Sequence, residues 1–135
     1  MKAGIRALMS GQTILLVDDE QHLLDTVQFI LEAHQYRVVT AHNGEEAIAQ
    51  LHRLRAGGEQ ADLILTDLQM PGASGLELIE RLRAAAEGTP ILVMTGYTDR
   101  ETARKLSASG CACCLDKPFE EEELLARIRE LLERA

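Results

Sequence analysis

Five short apolar runs punctuate the chain: TILLV (13–17), RVVTA (37–41), DLILT (62–66), PILVM (90–94) and CACCL (111–115). None alternates strictly with polar residues. A strand wetted on one face shows that alternation, so continuous runs predict strands covered on both faces, as in parallel sheets. Between the runs the period changes. Leu23, Leu24, Val27, Ile30 and Leu31 recur at helical spacing, as do Ala47, Ile48, Leu51 and Leu54, then Leu76, Leu78, Ile79 and Leu82. Asp99 to Ser109 predicts a fourth helix on thinner apolar support, from Ala103, Leu106 and Ala108. Leu124, Leu125, Ile128, Leu131 and Leu132 mark a fifth, whose opening Glu120 to Glu123 sets negative charge at the positive end of the helix dipole. Turn residues separate the elements at HNG (42–44), RAGGEQ (55–60), PGASG (71–75) and EGTP (87–90). Five strand-then-helix repeats predict one doubly wound α/β domain on a parallel sheet, with helices on both faces.

Composition narrows the function classes. At 135 residues the chain is long enough for one domain with a real core. Its 46% hydrophobic and 27% charged content is that of a folded globular protein. A formal charge of -8 argues against a phosphate-backbone binder, which needs a basic face. No apolar run approaches the roughly 18 residues of a membrane span. The opening MKAGIRALMSGQ carries Lys2 and Arg6, but its apolar run is too short for a signal peptide. Residues 1–12 read as a flexible lead-in or a cloning-derived leader, and 13–135 as the domain. Without an export signal the expected compartment is the cytoplasm, where disulfides are not expected.

The polar residues that end the strands carry the chemistry, because open α/β sheets bind ligands beyond the carboxyl ends of their strands. The first run ends in Asp18 and Asp19, the third in Asp67, the fourth in Thr95, and the fifth reaches Lys117. The second ends in His42, Asn43 and Gly44 and offers no comparable group. Adjacent carboxylates at the end of a buried strand repel and lose hydration, so something must offset that cost. Three acids and one lysine leave a net charge that a divalent cation neutralises, and hard oxygen ligands favour Mg²⁺. Asp67, before a Gly- and Pro-containing loop, is placed to act as a carboxylate nucleophile towards phosphorus. Thr95 and Lys117 would then bind phosphoryl oxygens.

Taken singly, each residue has an ordinary explanation. Asp18 and Asp19 read as helix caps, Asp67 as a turn opener, Thr95 as a strand-end residue and Lys117 as a surface lysine. The segments VDDE, LTDLQMPGASG, ILVMTGY and DKPF, in that order and spacing, outweigh those readings together.

On those segments the chain, from about Thr13 to Leu132, resembles the receiver domain of two-component response regulators. The resemblance implies a flavodoxin-like sheet of order 2-1-3-4-5. It implies Asp67 as phosphoacceptor, with Asp18, Asp19, Asp67 and the backbone carbonyl of Gln69 as Mg²⁺ ligands. Thr95 would be the switch hydroxyl, Lys117 would pair with the phosphoryl group, and the Lys117–Pro118 peptide would be cis. Gln69 and Tyr97 occupy positions that flank the path of a hydrolytic water in this family. Cys114 stands where receivers usually place a Tyr or Phe that turns inward with the switch Thr.

The implied function is a phosphorylation-activated switch. A histidine kinase or phosphotransfer protein would donate the phosphoryl group. A downstream protein would read the face made by the fourth helix, fifth strand and fifth helix, with no nucleic acid or membrane engaged directly. The domain would catalyse its own phosphorylation and dephosphorylation without being a turnover enzyme. Two alternatives stand beside this reading. A pseudo-receiver would use the fold as a constitutive interaction module, and the complete acid set speaks against it. A metal-dependent phosphohydrolase would need a substrate pocket or cap that such short connections do not build. Cys111, Cys113 and Cys114 lack a second ligand pair for zinc, and they read as small hydrophobes. His22, His34, His42 and His52 are scattered and read as solvated or half-buried. Since the receiver fills the chain, the expectation is a stand-alone regulator or a receiver excised from a larger protein.

Overall fold

The computed structural model describes residues 11–68, 75–96, 100–108 and 112–134. Five strands alternate with five helices: β1 (Thr13–Val17), α1 (Gln21–Ala33), β2 (Arg37–Ala41), α2 (Gly44–Ala56), β3 (Leu63–Asp67), α3 (Gly75–Ala85), β4 (Ile91–Thr95), α4 (Arg100–Ala108), β5 (Cys113–Asp116) and α5 (Glu121–Arg134). The strands form one parallel sheet of order β2-β1-β3-β4-β5, as the resemblance implies.

Strand side chains alternate between two core layers. Leu15, Val17, Ile64, Ile91 and Val93 face one layer, which Ala47 and Leu51 of α2, Ile79 and Leu82 of α3, and Ala103 and Leu106 of α4 complete. Ile14, Leu16, Leu63, Leu65, Leu92 and Met94 face the other, closed by Leu24, Val27 and Leu31 of α1 and by Leu124, Ile128 and Leu132 of α5. Both faces are covered, which is why the runs are continuously apolar rather than alternating. Helix ends follow the electrostatics of their termini. Asn43 caps α2 by accepting the Glu46 N–H at 2.8 Å, and Glu45 and Glu46 lie in that helix's first turn.

The structure corrects several sequence expectations. β3 and β4 each begin and end one residue later than their apolar runs, so Asp67 and Thr95 belong to the strands themselves. β5 spans Cys113–Asp116 rather than 111–115, and Cys111 lies outside the described residues. Leu76, placed in the third helical stripe, is 45% exposed. Ala108 is likewise exposed, leaving Ala103 and Leu106 as the buried residues of α4. Of the lead-in read at 1–12, residues 1–10 also lie outside the described residues.

Candidate functional site

Parallel register brings the strand-end residues together. β1 pairs with β3 up to Val17 opposite Thr66, so Asp18 and Asp67 follow as neighbours at the same end of the sheet. The Asp18 backbone N–H donates to the Ala41 carbonyl at 3.1 Å, which holds the chain to β2 for one more residue. Asp67 lies opposite Met94 and Thr95 opposite Asp116, so β4 and β5 deliver the hydroxyl and then Lys117 to the same crest.

Asp18, Asp19 and Asp67 each offer a carboxylate oxygen within 4.8 Å of the others. Asp18 is 1% exposed and Asp67 8%, while Asp19 is open to solvent. Lys117 Nζ lies 2.9 Å from Asp67 Oδ2 and 3.5 Å from Asp18 Oδ2. Asp18 also accepts the Glu20 N–H at 2.9 Å, in a local turn ahead of α1. Glu20 is the helix cap and makes no side-chain capping bond, so α1 does not need the acids in that role.

The charges are not balanced by Lys117 alone. Burial, the largest influence, raises the Asp18 carboxyl above the ordinary aspartate range, and the Asp67 charge adds to the rise. The Glu20 N–H and Lys117 oppose that rise without cancelling it. For Lys117 the balance is reversed. Burial pushes its pKa down, but the hydrogen bond and charge of Asp67, with the Asp18 charge, lift it above the ordinary lysine value. Three clustered carboxylates against one ammonium make a hard, oxygen-rich, net negative donor set, which fits a hard divalent cation.

The Thr95 hydroxyl, 1% exposed, is directed to Asp116 Oδ1 at 3.0 Å, with the Leu115 carbonyl at 3.5 Å. The sequence reading did not single out Asp116. Its only signal was a polar residue directly after the fifth apolar run, and the register that sets it opposite Thr95 is not visible in one sequence. The Lys117–Pro118 peptide is cis. Gln69 and Tyr97 lie outside the described residues. Cys113 and Cys114 are free, half-buried thiols on opposite faces of β5, and Cys114 Sγ donates to the Ala103 carbonyl of α4 at 3.3 Å. His22, His34, His42 and His52 are all exposed, so none is a buried ligand.

Comparison with known proteins agrees with this geometry. Residues 14–129 match the model of the response regulator receiver domain. The cell cycle transcriptional regulator CtrA of Caulobacter vibrioides is 32% identical over 122 residues, covering 90% of this chain and 51% of CtrA. The chain thus spans about half the length of the curated relatives it matches. Among solved structures, a chain of the adenylate cyclase from Rhodopirellula baltica superposes with a TM-score of 0.82 at 30% identity, over 90% of this chain and 87% of that one. The chemotaxis protein CheY4 of Vibrio cholerae gives a TM-score of 0.75 at 32% identity, over 89% of this chain and 98% of that one. The family is one of signalling receivers rather than metabolic enzymes, and nothing among the described residues supports a pseudo-receiver. The chain belongs to the response regulator receiver domain family of two-component systems.

Proposed function

We propose that Asp67 accepts a phosphoryl group from a phosphohistidine on a partner kinase or phosphotransfer protein. One observation carries this reading: the ammonium of Lys117 stands 2.9 Å from Asp67 Oδ2, with two further carboxylates at the same crest. An Asp67 oxygen attacks phosphorus in line as the P–N bond of the donor breaks, leaving the imidazole nitrogen with its electron pair. Lys117 exchanges part of its contact with the carboxylate for contact with the transferred phosphoryl oxygens. Thr95 supplies a hydroxyl donor to the same group once it turns from Asp116.

Asp18, Asp19 and Asp67 are the described residues that would hold Mg²⁺. Bound there, the ion would spread the charge that accumulates on the phosphoryl oxygens. The Gln69 carbonyl is included in this ligand set on the resemblance alone. The working unit is the domain from Thr13 onward, acting in the cytoplasm. It promotes its own phosphorylation and dephosphorylation and changes a protein-binding face around α4, β5 and α5.

Intact-mass spectrometry after incubation with Mg²⁺ and a small acyl phosphate tests the assignment. The wild type gains one base-labile phosphoryl group and Asp67→Ala gains none. An unchanged wild-type mass, or equal labelling of the variant, sinks it.

A further inference from the structure

Thr95 and Asp116 are register partners across β4 and β5. Thr95 is 1% exposed, whereas Asp116 is exposed at its strand end. The Thr95 hydroxyl has a single proton to give, with Asp116 Oδ1 at 3.0 Å and the Leu115 carbonyl at 3.5 Å. The nearer acceptor is also the charged one, so it accepts the hydrogen bond. The next residue fixes the main chain, since the Lys117 backbone N–H donates to the Thr95 carbonyl at 2.7 Å. Two consecutive residues thus grip Thr95, one by its hydroxyl and one by its backbone. Meanwhile the Lys117 ammonium reaches across to Asp67.

We infer that Asp116 is a positioning residue that holds the Thr95 hydroxyl away from the phosphoryl site until Asp67 is phosphorylated. The inference rests on the roles proposed above for Asp67 and Thr95, and adds a rival acceptor for the same proton. A phosphoryl oxygen on Asp67 and the Asp116 carboxylate cannot both receive it. Switching is then an exchange of acceptors in which the bond to Asp116 Oδ1 breaks, a bond to the phosphoryl oxygen forms, and no covalent bond changes. The difference in strength between those two anionic acceptors sets how much of the switched form exists before and after phosphorylation. Because Asp116 is exposed, water solvates its carboxylate when Thr95 leaves, so no buried orphan is created. The hold is therefore weak enough to be released by a local event.

Methyl NMR of threonine-labelled protein, with beryllofluoride and Mg²⁺ as the phosphoryl mimic, tests this in five proteins: wild type, Asp116→Ala, Asp116→Asn, Thr95→Ala and Asp116→Ala combined with Thr95→Ala. In Asp116→Ala without the mimic, the Thr95 methyl resonance moves towards its mimic-bound position. The midpoint of the beryllofluoride titration falls about five- to tenfold, the scale of one net hydrogen bond whose acceptor is open to water. Asp116→Asn keeps an oxygen acceptor without the charge and falls between. Measured against Thr95→Ala alone, the double variant changes the midpoint less than about twofold, because no hydroxyl remains to be held. Equal tightening in both backgrounds would show that Asp116 acts through its charge alone and overturn the inference. So would an Asp116→Ala protein with both the Thr95 resonance and the midpoint unchanged. A wild type that fails to bind beryllofluoride counts against the Asp67 assignment instead, and a Thr95 methyl shift and χ1 coupling identical in unliganded wild type and Asp116→Ala then still overturn the hold.

Discussion

Lys117 Nζ bridges Asp67 Oδ2 at 2.9 Å, linking the residue after β5 to the last residue of β3 across the intervening β4. The pair is half-sheltered, with the lysine side chain 25% exposed and the aspartate 12%. Removing the ammonium leaves Asp67 and the buried Asp18 facing each other without their shared cation. Lys117→Met is therefore expected to lose about 1–2 kcal/mol at pH 7, less than a fully buried pair because water reaches one side. The sign with pH follows from the raised lysine pKa. The contribution is complete below 10.5, the ordinary lysine value, and is lost as pH climbs through the higher folded value. Urea melts of wild type and variant at pH 7, 9 and 11 check it. A gap that stays constant up to pH 11 contradicts the assignment.

Asp18 carries the opposite sign. Its folded pKa is raised, first by burial, so the ionised carboxylate costs stability. That cost is absent below 3.8, the ordinary value, grows as pH rises through the shifted value, and is constant above it. Without metal at neutral pH, Asp18→Asn is expected to be more stable than wild type by roughly 1 kcal/mol, the scale of other charge-relieving substitutions. Added Mg²⁺ raises the melting temperature of wild type and does little for the variant, because a ligand stabilises only the state that binds it. Thermal melts with and without Mg²⁺ decide this. An equal Mg²⁺ increment in both proteins removes Asp18 from the proposed ligand set.

Asp18, Asp67 and Lys117 were legible because each is the polar residue that interrupts or follows an apolar run, and parallel strands all point one way. The three strand ends that slipped by one residue, those of β3, β4 and β5, have a single cause. A hydrophobic pattern stops at the last apolar side chain, but main-chain pairing does not depend on side-chain polarity and continues through Asp67, Thr95 and Asp116. Asp116 was illegible for a related reason, since its role depends on which residue of β4 it faces. The pattern also overreached at Leu76, which sits one position from the buried side of α3.

That misplacement is measurable. Leu82 is fully buried among the residues of its core layer, and truncating it leaves a cavity the packed helices cannot collapse into. Leu82→Ala is expected to cost about 2–5 kcal/mol. Leu76→Ala, at 45% exposure on the same helix, is expected to cost less than about 1 kcal/mol. Chemical denaturation of the two variants gives the comparison. Similar losses would place Leu76 in the core after all.

Cys114 links β5 to α4. Burial, then the neighbouring Cys113 and Asp116, raise its thiol above the ordinary cysteine range, so it remains protonated and can donate to the Ala103 carbonyl. A thiol has one short rotor, so this residue cannot carry a signal by swinging a ring between surface and interior. What it can transmit is a shift of the helix it is bonded to. α4 is poised for that, since only Ala103 and Leu106 bury it. α5 is anchored more firmly, by Leu124, Leu125, Ile128, Leu131 and Leu132. Loading the site with beryllofluoride should therefore perturb the backbone amides of Arg100–Ala108 more than those of Leu124–Leu132. Cys114→Ala, which cuts the bond to Ala103, should reduce the α4 response while leaving phosphoryl acceptance intact, because among the described residues the thiol bonds to α4 and not to Asp67. Backbone shift maps of wild type and variant test both statements. Shifts along α5 as large as those along α4, or an α4 response indifferent to Cys114, would assign propagation to a different part of the fold.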